Sequence, residues 1–131
     1  MNLARLAQLV GGHGEPVNGC DFPTDEARAL ARARYAQQSF CLVRDWTILD
    51  LETTDDELEA LRAHGLEPVM VYALNVVLDS QGRFNPGDWV RSSFQLNYEE
   101  TGFSLTKNAV YVLLGNGTRQ KVTVKDLTSL R

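Results

Sequence analysis

The sequence predicts a single α+β domain over residues 1–131. We expect a mostly antiparallel, curled sheet of about five to six strands, with N-terminal helices and one capped helix packed on it. The chain has 131 residues, the size of one ordinary domain, and its apolar share of 44% is sufficient for a hydrophobic core. Helix-forming sequence predominates in residues 1–38 and strand-forming sequence in residues 40–131, which predicts a helical N-terminal part and a sheet-rich remainder.

The predicted helices lie mainly near the N-terminus. A short amphipathic helix is predicted over residues 2–10, because apolar side chains recur there at helical spacing, and Gly11 ends it. A second helix is predicted to begin near Pro23 and Thr24, since proline and a capping threonine suit a first helical turn. The alanine- and arginine-rich sequence continues this helix to about residue 38.

Two long strands and a helix between them follow. Residues 40–51 and 69–79 are rich in strand-forming and apolar residues, so each predicts a strand. Between them, Thr54 and Glu57 have the spacing of a capping box, and His64-Gly65 is typical of a helix end. We expect the two strands to form a parallel crossover around this helix.

The last part of the chain predicts a meander of short strands over residues 89–97, 103–106 and 109–114. Asn116-Gly117 is a strong signal for a two-residue hairpin turn. The alternation of Val122 and Val124 with polar residues predicts an edge strand with one solvent-exposed face, followed by a final turn over residues 126–130.

Charge is distributed unevenly along the chain. The net charge is −4, with eight acids and one base between residues 45 and 67, and five bases and one acid from residue 101 to residue 131. Such segments favour electrostatic recognition of a partner. The predicted binding residues are Asp55, Asp56 and Glu59 in the acidic segment, and Arg119 and Lys121 in the basic one.

No pattern of catalytic or metal-binding residues is apparent, so we predict no enzyme activity, no cofactor and no metal. His13-Gly14-Glu15 has the His-x-Glu spacing of zinc deaminases, but the Pro-Cys-x-x-Cys that those sites require is missing. The histidines and cysteines lack the close pairing of structural zinc ligands, and neither His13 nor His64 has a nucleophile beside it in sequence. The glycine-rich stretch at Gly11 follows a helix and lacks the Gly-Lys-Ser/Thr of a phosphate loop.

The sequence shows neither an export signal nor a membrane span, so we expect a cytoplasmic protein. Cysteines in that compartment are normally reduced. We therefore expect Cys20 and Cys41 to be free thiols, with Cys41 in the core.

Two segments carry a resemblance to a known family. They are residues 86–93, with the sequence PGDWVRSS, and residues 106–119, with the sequence TKNAVYVLLGNGTR. Together they are similar to a small family of uncharacterised bacterial proteins that share this strand and this hairpin. The resemblance covers about the last third of the chain and implies no activity.

Most residues in the resembling segments have a structural interpretation. Gly87 and Gly117 suit turns. Trp89 and the apolar residues of 110–112 are expected to fill a core. Polar residues without an obvious fold role are further binding candidates, namely Arg91, Asn108 and again Arg119.

These observations favour a non-enzymatic protein-binding module of bacterial or phage origin, of the inhibitor, immunity or counter-defence type. The partner is expected to be a protein, recognised through charged surfaces. A second hypothesis is a small β-barrel-like module that binds nucleic acid through the basic C-terminal hairpin. A third is an enzyme whose site gathers residues that are distant in sequence.

Overall fold

The computed structural model describes residues 14–128. The fold is α+β, with a curled half-barrel sheet. Its eight strands are β1 (Glu15–Asn18), β2 (Phe40–Leu51), β3 (Val69–Asp79), β4 (Val90–Arg91), β5 (Gln95–Glu99), β6 (Phe103–Thr106), β7 (Val110–Leu113) and β8 (Asn116–Val122). The helices described are α1 (Thr24–Arg34), α2 (Asp55–Ala63) and α3 (Val124–Thr128). The helix predicted over residues 2–10 and His13 lie outside the described residues.

The α+β class and the curled sheet are confirmed, but two details of the predicted sheet are wrong. The sheet has eight strands instead of about five to six, and it mixes parallel with antiparallel pairs. Of the two predicted N-terminal helices, the second is described as α1. α1 is also shorter than predicted and ends at Arg34. The extra strands are short segments such as β1 and β4, which become strands only through pairing with distant neighbours.

The long strand β2 organises the sheet. On one side it pairs antiparallel with β3 along nearly its full length. On the other side it pairs parallel with β7 through its first residues, Phe40–Val43, and then parallel with β8 through Thr47–Leu51. The change of partner from β7 to β8 occurs at Asp45. In the part of the chain that the structure describes, Asp45 is the one non-glycine residue with a positive φ, of 53°.

The predicted parallel crossover between β2 and β3 is wrong, because these strands are antiparallel. A parallel crossover needs a helix that packs across the sheet and returns the chain to the starting end. α2 has only nine residues and buries none of them. It therefore serves as a connection at one end of the sheet, and β3 re-enters at the end where β2 finishes.

The predicted hairpin at Asn116-Gly117 is also wrong. β7 and β8 are both parallel to β2, so the chain keeps its direction between them. The Gly117 position has a different requirement: a Cβ atom there would lie 2.4 Å from Cδ2 of Trp46. Glycine is needed at residue 117 because the buried indole packs directly against the backbone of β8.

The last strand is not an edge strand, since β1 pairs with β8 on the side away from β2. β8 ends at Val122 because Thr123 and Asp126 cap α3. The Asp126 N–H donates to Thr123 Oγ1 and the Thr123 N–H donates to Asp126 Oδ2, each at 3.0 Å. Within the described residues, the predicted final turn is thus part of a short helix, and Val124 belongs to that helix instead of a strand.

The strand predicted over residues 89–97 is divided into β4 and β5, which pair with different neighbours. Ser92 explains the division. Its hydroxyl accepts a hydrogen bond from the Val71 N–H at 2.8 Å and donates to the Ser93 carbonyl at 2.8 Å. The side chain satisfies a backbone donor of β3, and the chain leaves β3 at this point.

The core has three buried clusters. The largest contains Trp46, Cys41 and Leu113. A second contains Ala27 and Ala31 of α1, packed against β2 and β7 together with Cys20. A third contains Leu127 of α3. Cys20 and Cys41 are free thiols, as predicted, and they belong to different clusters.

The predicted capping box of α2 is confirmed. Thr54 Oγ1 accepts from the Glu57 N–H at 3.2 Å, and Glu57 Oε1 accepts from the Thr54 N–H at 2.8 Å. The helix ends at Ala63 with His64 as its C-cap, and Gly65 takes a φ of 72°, which agrees with the predicted helix end at His64-Gly65.

We predict that Thr54→Ala lowers the free energy of unfolding by about 1 kcal/mol, because it removes the side-chain acceptor for a helix N–H. Glu57→Gln is the matched control, since an amide oxygen can still accept from Thr54 N–H. Urea denaturation monitored by circular dichroism measures both. An equal loss in both variants would contradict the assignment of the stabilisation to the Thr54 hydroxyl.

Candidate functional site

An apolar groove of about 350 Å³ lies between α2 and the end of the sheet. Its apolar lining comes from the last residue of β2, from α2 and the chain after it, from the connection before β5 and from the first residue of α3: Leu51, Leu61, Leu66, Phe94 and Val124. Val124 is 48% exposed, a high value for a large apolar side chain. The groove therefore offers apolar surface to solvent at one end of β2.

The position of α2 creates this groove. Glu57, Ala60, Leu61 and His64 line it, and their spacing places them on one face of a helix. Although that face carries Leu61, α2 has no fully buried residue. The capping box fixes where the helix starts, so it also fixes which residues face the groove.

The predicted acidic residues lie beside the groove instead of in it. Asp55, Asp56 and Glu59 are exposed on α2, on the positions that do not line the groove. Glu57 is the α2 acid that lines it. The helix carries four carboxylates and one guanidinium, so the α2 side of the groove has a net negative charge.

The basic candidates of β8 lie next to the acidic segment. Arg119 donates from Nε to Asp50 Oδ2 at 2.6 Å and from Nη2 to Asp50 Oδ1 at 2.7 Å. This hydrogen-bonded pairing with Asp50 raises the pKa of Arg119 above its usual value. Lys121 is exposed and lies opposite Asp50 in the β2–β8 register.

The acidic and basic segments are therefore neighbours in space, although they are far apart in sequence. Arg119 has a structural partner, contrary to the expectation that it lacks a fold role. Asp50 was not among the predicted site residues. Its contact depends on the parallel pairing of β2 with β8, which no local pattern in the sequence indicates.

Arg91 lies at the β4 edge, opposite Tyr72, and is half-buried. Trp89 precedes this strand and was expected in the core, but it is 50% exposed, with its ring centroid 5.9 Å from that of Tyr72. Trp89 is exposed because it lies just outside a two-residue strand at the edge of the sheet.

Asn108 lies in the connection between β6 and β7, where its carbonyl accepts from Ser39 Oγ at 2.9 Å. It lines a second, polar cavity. The seven predicted binding residues thus occupy separate places: α2, β4, the β6–β7 connection and β8. They do not form one site, and their binding roles stay predictions.

A family model described as a domain of unknown function (DUF6957) matches residues 18–129. The chain belongs to the DUF6957 family. The match agrees with the resemblance to an uncharacterised family and extends far beyond the last third of the chain. It includes the groove and the polar cavity. No match is found among curated proteins or among solved structures.

Several titratable groups of this DUF6957 domain are buried. Burial, followed by the charge of Asp79, raises the pKa of the Cys41 thiol to about 12. Burial also raises the pKa of Tyr111 to about 12. Cys41 is therefore a protonated core residue at neutral pH.

Within residues 14–128, no group of three or more His, Cys, Asp or Glu side chains is placed to hold a metal ion. His64 is exposed at the end of α2, and His13 lies outside the described part of the chain. None of the helices described between residues 14 and 128 has the length and apolar character needed to span a bilayer.

Proposed function

We propose that this DUF6957 protein is a non-enzymatic protein-binding module of bacterial or phage origin, of the inhibitor, immunity or counter-defence type. The observation that carries the proposal is the apolar groove beside the acidic helix α2. The partner segment has apolar side chains for the groove and Lys or Arg side chains for the surrounding carboxylates.

Two physical effects favour binding of a partner segment that combines apolar and basic side chains. Transfer of apolar side chains from water into the groove favours binding by roughly 25 cal/mol per Å² of apolar surface buried. The carboxylates of α2 increase the association rate and discriminate against acidic partners. The nucleic-acid alternative has less support, because the positive charge of Arg119 is already offset by its ion pair with Asp50.

A pair of synthetic amphipathic peptides tests the proposal. One contains leucine and lysine, and the other contains leucine and glutamate in the same pattern. Fluorescence anisotropy of labelled peptides is expected to show at least about tenfold tighter binding of the lysine peptide, because only that peptide complements the carboxylates of α2.

Leu61→Asp places a charge in the groove and is expected to weaken binding of the lysine peptide by about tenfold or more. Leu74→Asp is the matched control, since Leu74 is an exposed leucine on β3 that does not line the groove. Equal effects of the two substitutions, or equal binding of the two peptides, would overturn the proposal.

A further inference from the structure

A polar cavity of about 580 Å³ lies at the opposite end of β2 from the groove. Three connections form it: the residues before β2, the turn after β3 and the residues before β7. The lining includes the amides of Gln37, Gln38, Gln81 and Asn108 together with the cationic groups of Arg83 and Lys107. No carboxylate is among the described residues that line it.

Arg83 is held in place by a buried carboxylate behind the cavity. The Asp79 side chain is fully buried and accepts from Arg83 Nη2 at 2.7 Å and from Arg83 Nε at 3.1 Å. The Arg83 backbone N–H also donates to Asp79, at 2.7 Å. A guanidinium has five N–H donors, and these contacts use only some of them, so donors remain for a ligand.

Lys107 provides a positive charge that is not neutralised. It is exposed, and it has neither a hydrogen bond nor an ion pair among the residues that the structure describes. The side-chain amides of Gln37, Gln38 and Gln81 likewise have no hydrogen-bond partner in residues 14–128. The cavity thus combines an unpaired cation, a positioned guanidinium and several unused amide groups.

We infer that this cavity binds a small phosphorylated polyol, such as a sugar phosphate. The phosphate is recognised by Lys107 and the free donors of Arg83, because charge-assisted hydrogen bonds to oxyanions are strong. The cavity is much larger than one phosphate group, and its amides can donate to and accept from hydroxyl groups. None of the described lining residues is aromatic, which favours a sugar over a stacked base.

The test is a titration of the full-length protein, followed by ¹H–¹⁵N NMR, with glucose 6-phosphate, glucose or inorganic phosphate. Glucose 6-phosphate is expected to shift the backbone amides of Ser39, Gln81 and Lys107. Lys107→Ala is expected to weaken this binding by about tenfold. Arg62→Ala is the matched control, because it removes a positive charge at the other end of β2, and less than about a twofold change is expected.

The outcomes separate the parts of the inference. An absence of shifts at millimolar glucose 6-phosphate would overturn it, and so would equal losses of binding in the two variants. Equal binding of glucose and glucose 6-phosphate would refute recognition of the phosphate. Equal binding of inorganic phosphate would refute the polyol. Each result is independent of peptide binding at the groove.

Discussion

Trp46→Ala is expected to lower the free energy of unfolding by about 3–5 kcal/mol, the usual range for removing a large aromatic side chain from a core. Trp46 is 1% exposed, and its Nε1–H donates to the Leu114 carbonyl at 3.0 Å. The indole also packs against the backbone at Gly19 and Gly117, where added Cβ atoms would lie 2.6 Å and 2.4 Å from it. Alanine would leave a cavity that these strands are unable to close.

The other tryptophan is the matched control. Trp89 is 50% exposed and contacts Tyr72. Trp89→Ala is therefore expected to cost about 1 kcal/mol. Guanidinium denaturation monitored by circular dichroism compares the two variants without relying on tryptophan fluorescence. Similar losses in both would show that the indole of Trp46 does not occupy the interior of the half-barrel.

Asp79→Ala is the substitution with the second large expected effect on stability. We expect it to lower the free energy of unfolding by about 2–3 kcal/mol, because it removes a fully buried carboxylate and leaves the Arg83 guanidinium, which is 35% exposed, without its partner. Asp50→Ala is the control. It breaks a bidentate ion pair with Arg119 in which both side chains are partly exposed, so we expect the free energy of unfolding to fall by less than about 1 kcal/mol.

The Asp79 contribution is also expected to depend on pH. Burial alone raises the pKa of this carboxyl, but hydrogen bonds and the charge of Arg83 outweigh burial and hold the pKa below the usual 3.8. A lowered pKa stabilises the fold above the unfolded-state value, and this stabilisation disappears as the pH falls through the folded-state value. The loss of stability is measured by comparing the free energy of unfolding at neutral pH with that at a pH well below 3.8.

Asp79→Asn should therefore lose less stability than the wild-type protein when the pH is lowered in this range. The Asp50→Asn variant should retain the wild-type dependence on pH more closely, because it leaves Asp79 intact. If Asp79→Asn and wild type lost stability in parallel, the carboxylate of Asp79 would not contribute through its charge.

The groove and the polar cavity could be predicted only in part. Glu57 and His64 follow from the capping box and the helix end, and they line the groove. Asn108, predicted from the resemblance, lines the polar cavity. Phe94 and Val124 reach the groove from distant segments, and their convergence depends on the strand order.

Local signals in the sequence determined the bounds of several elements. The strands over residues 40–51 and 69–79 and the helix capped by Thr54 have the predicted limits, because continuous apolar sequence and capping hydrogen bonds act between near neighbours.

Only the tertiary structure decided which strands pair and in which direction. Asn116-Gly117 has the sequence of a hairpin, yet Gly117 is required by the indole of Trp46, 71 positions earlier in the chain, and β8 continues parallel to β2. Arg119 likewise has the sequence of a free surface cation but pairs with Asp50. Side-chain packing and charge pairing between distant strands outweigh the local turn preference, because they bury more surface and satisfy more hydrogen bonds than one turn can.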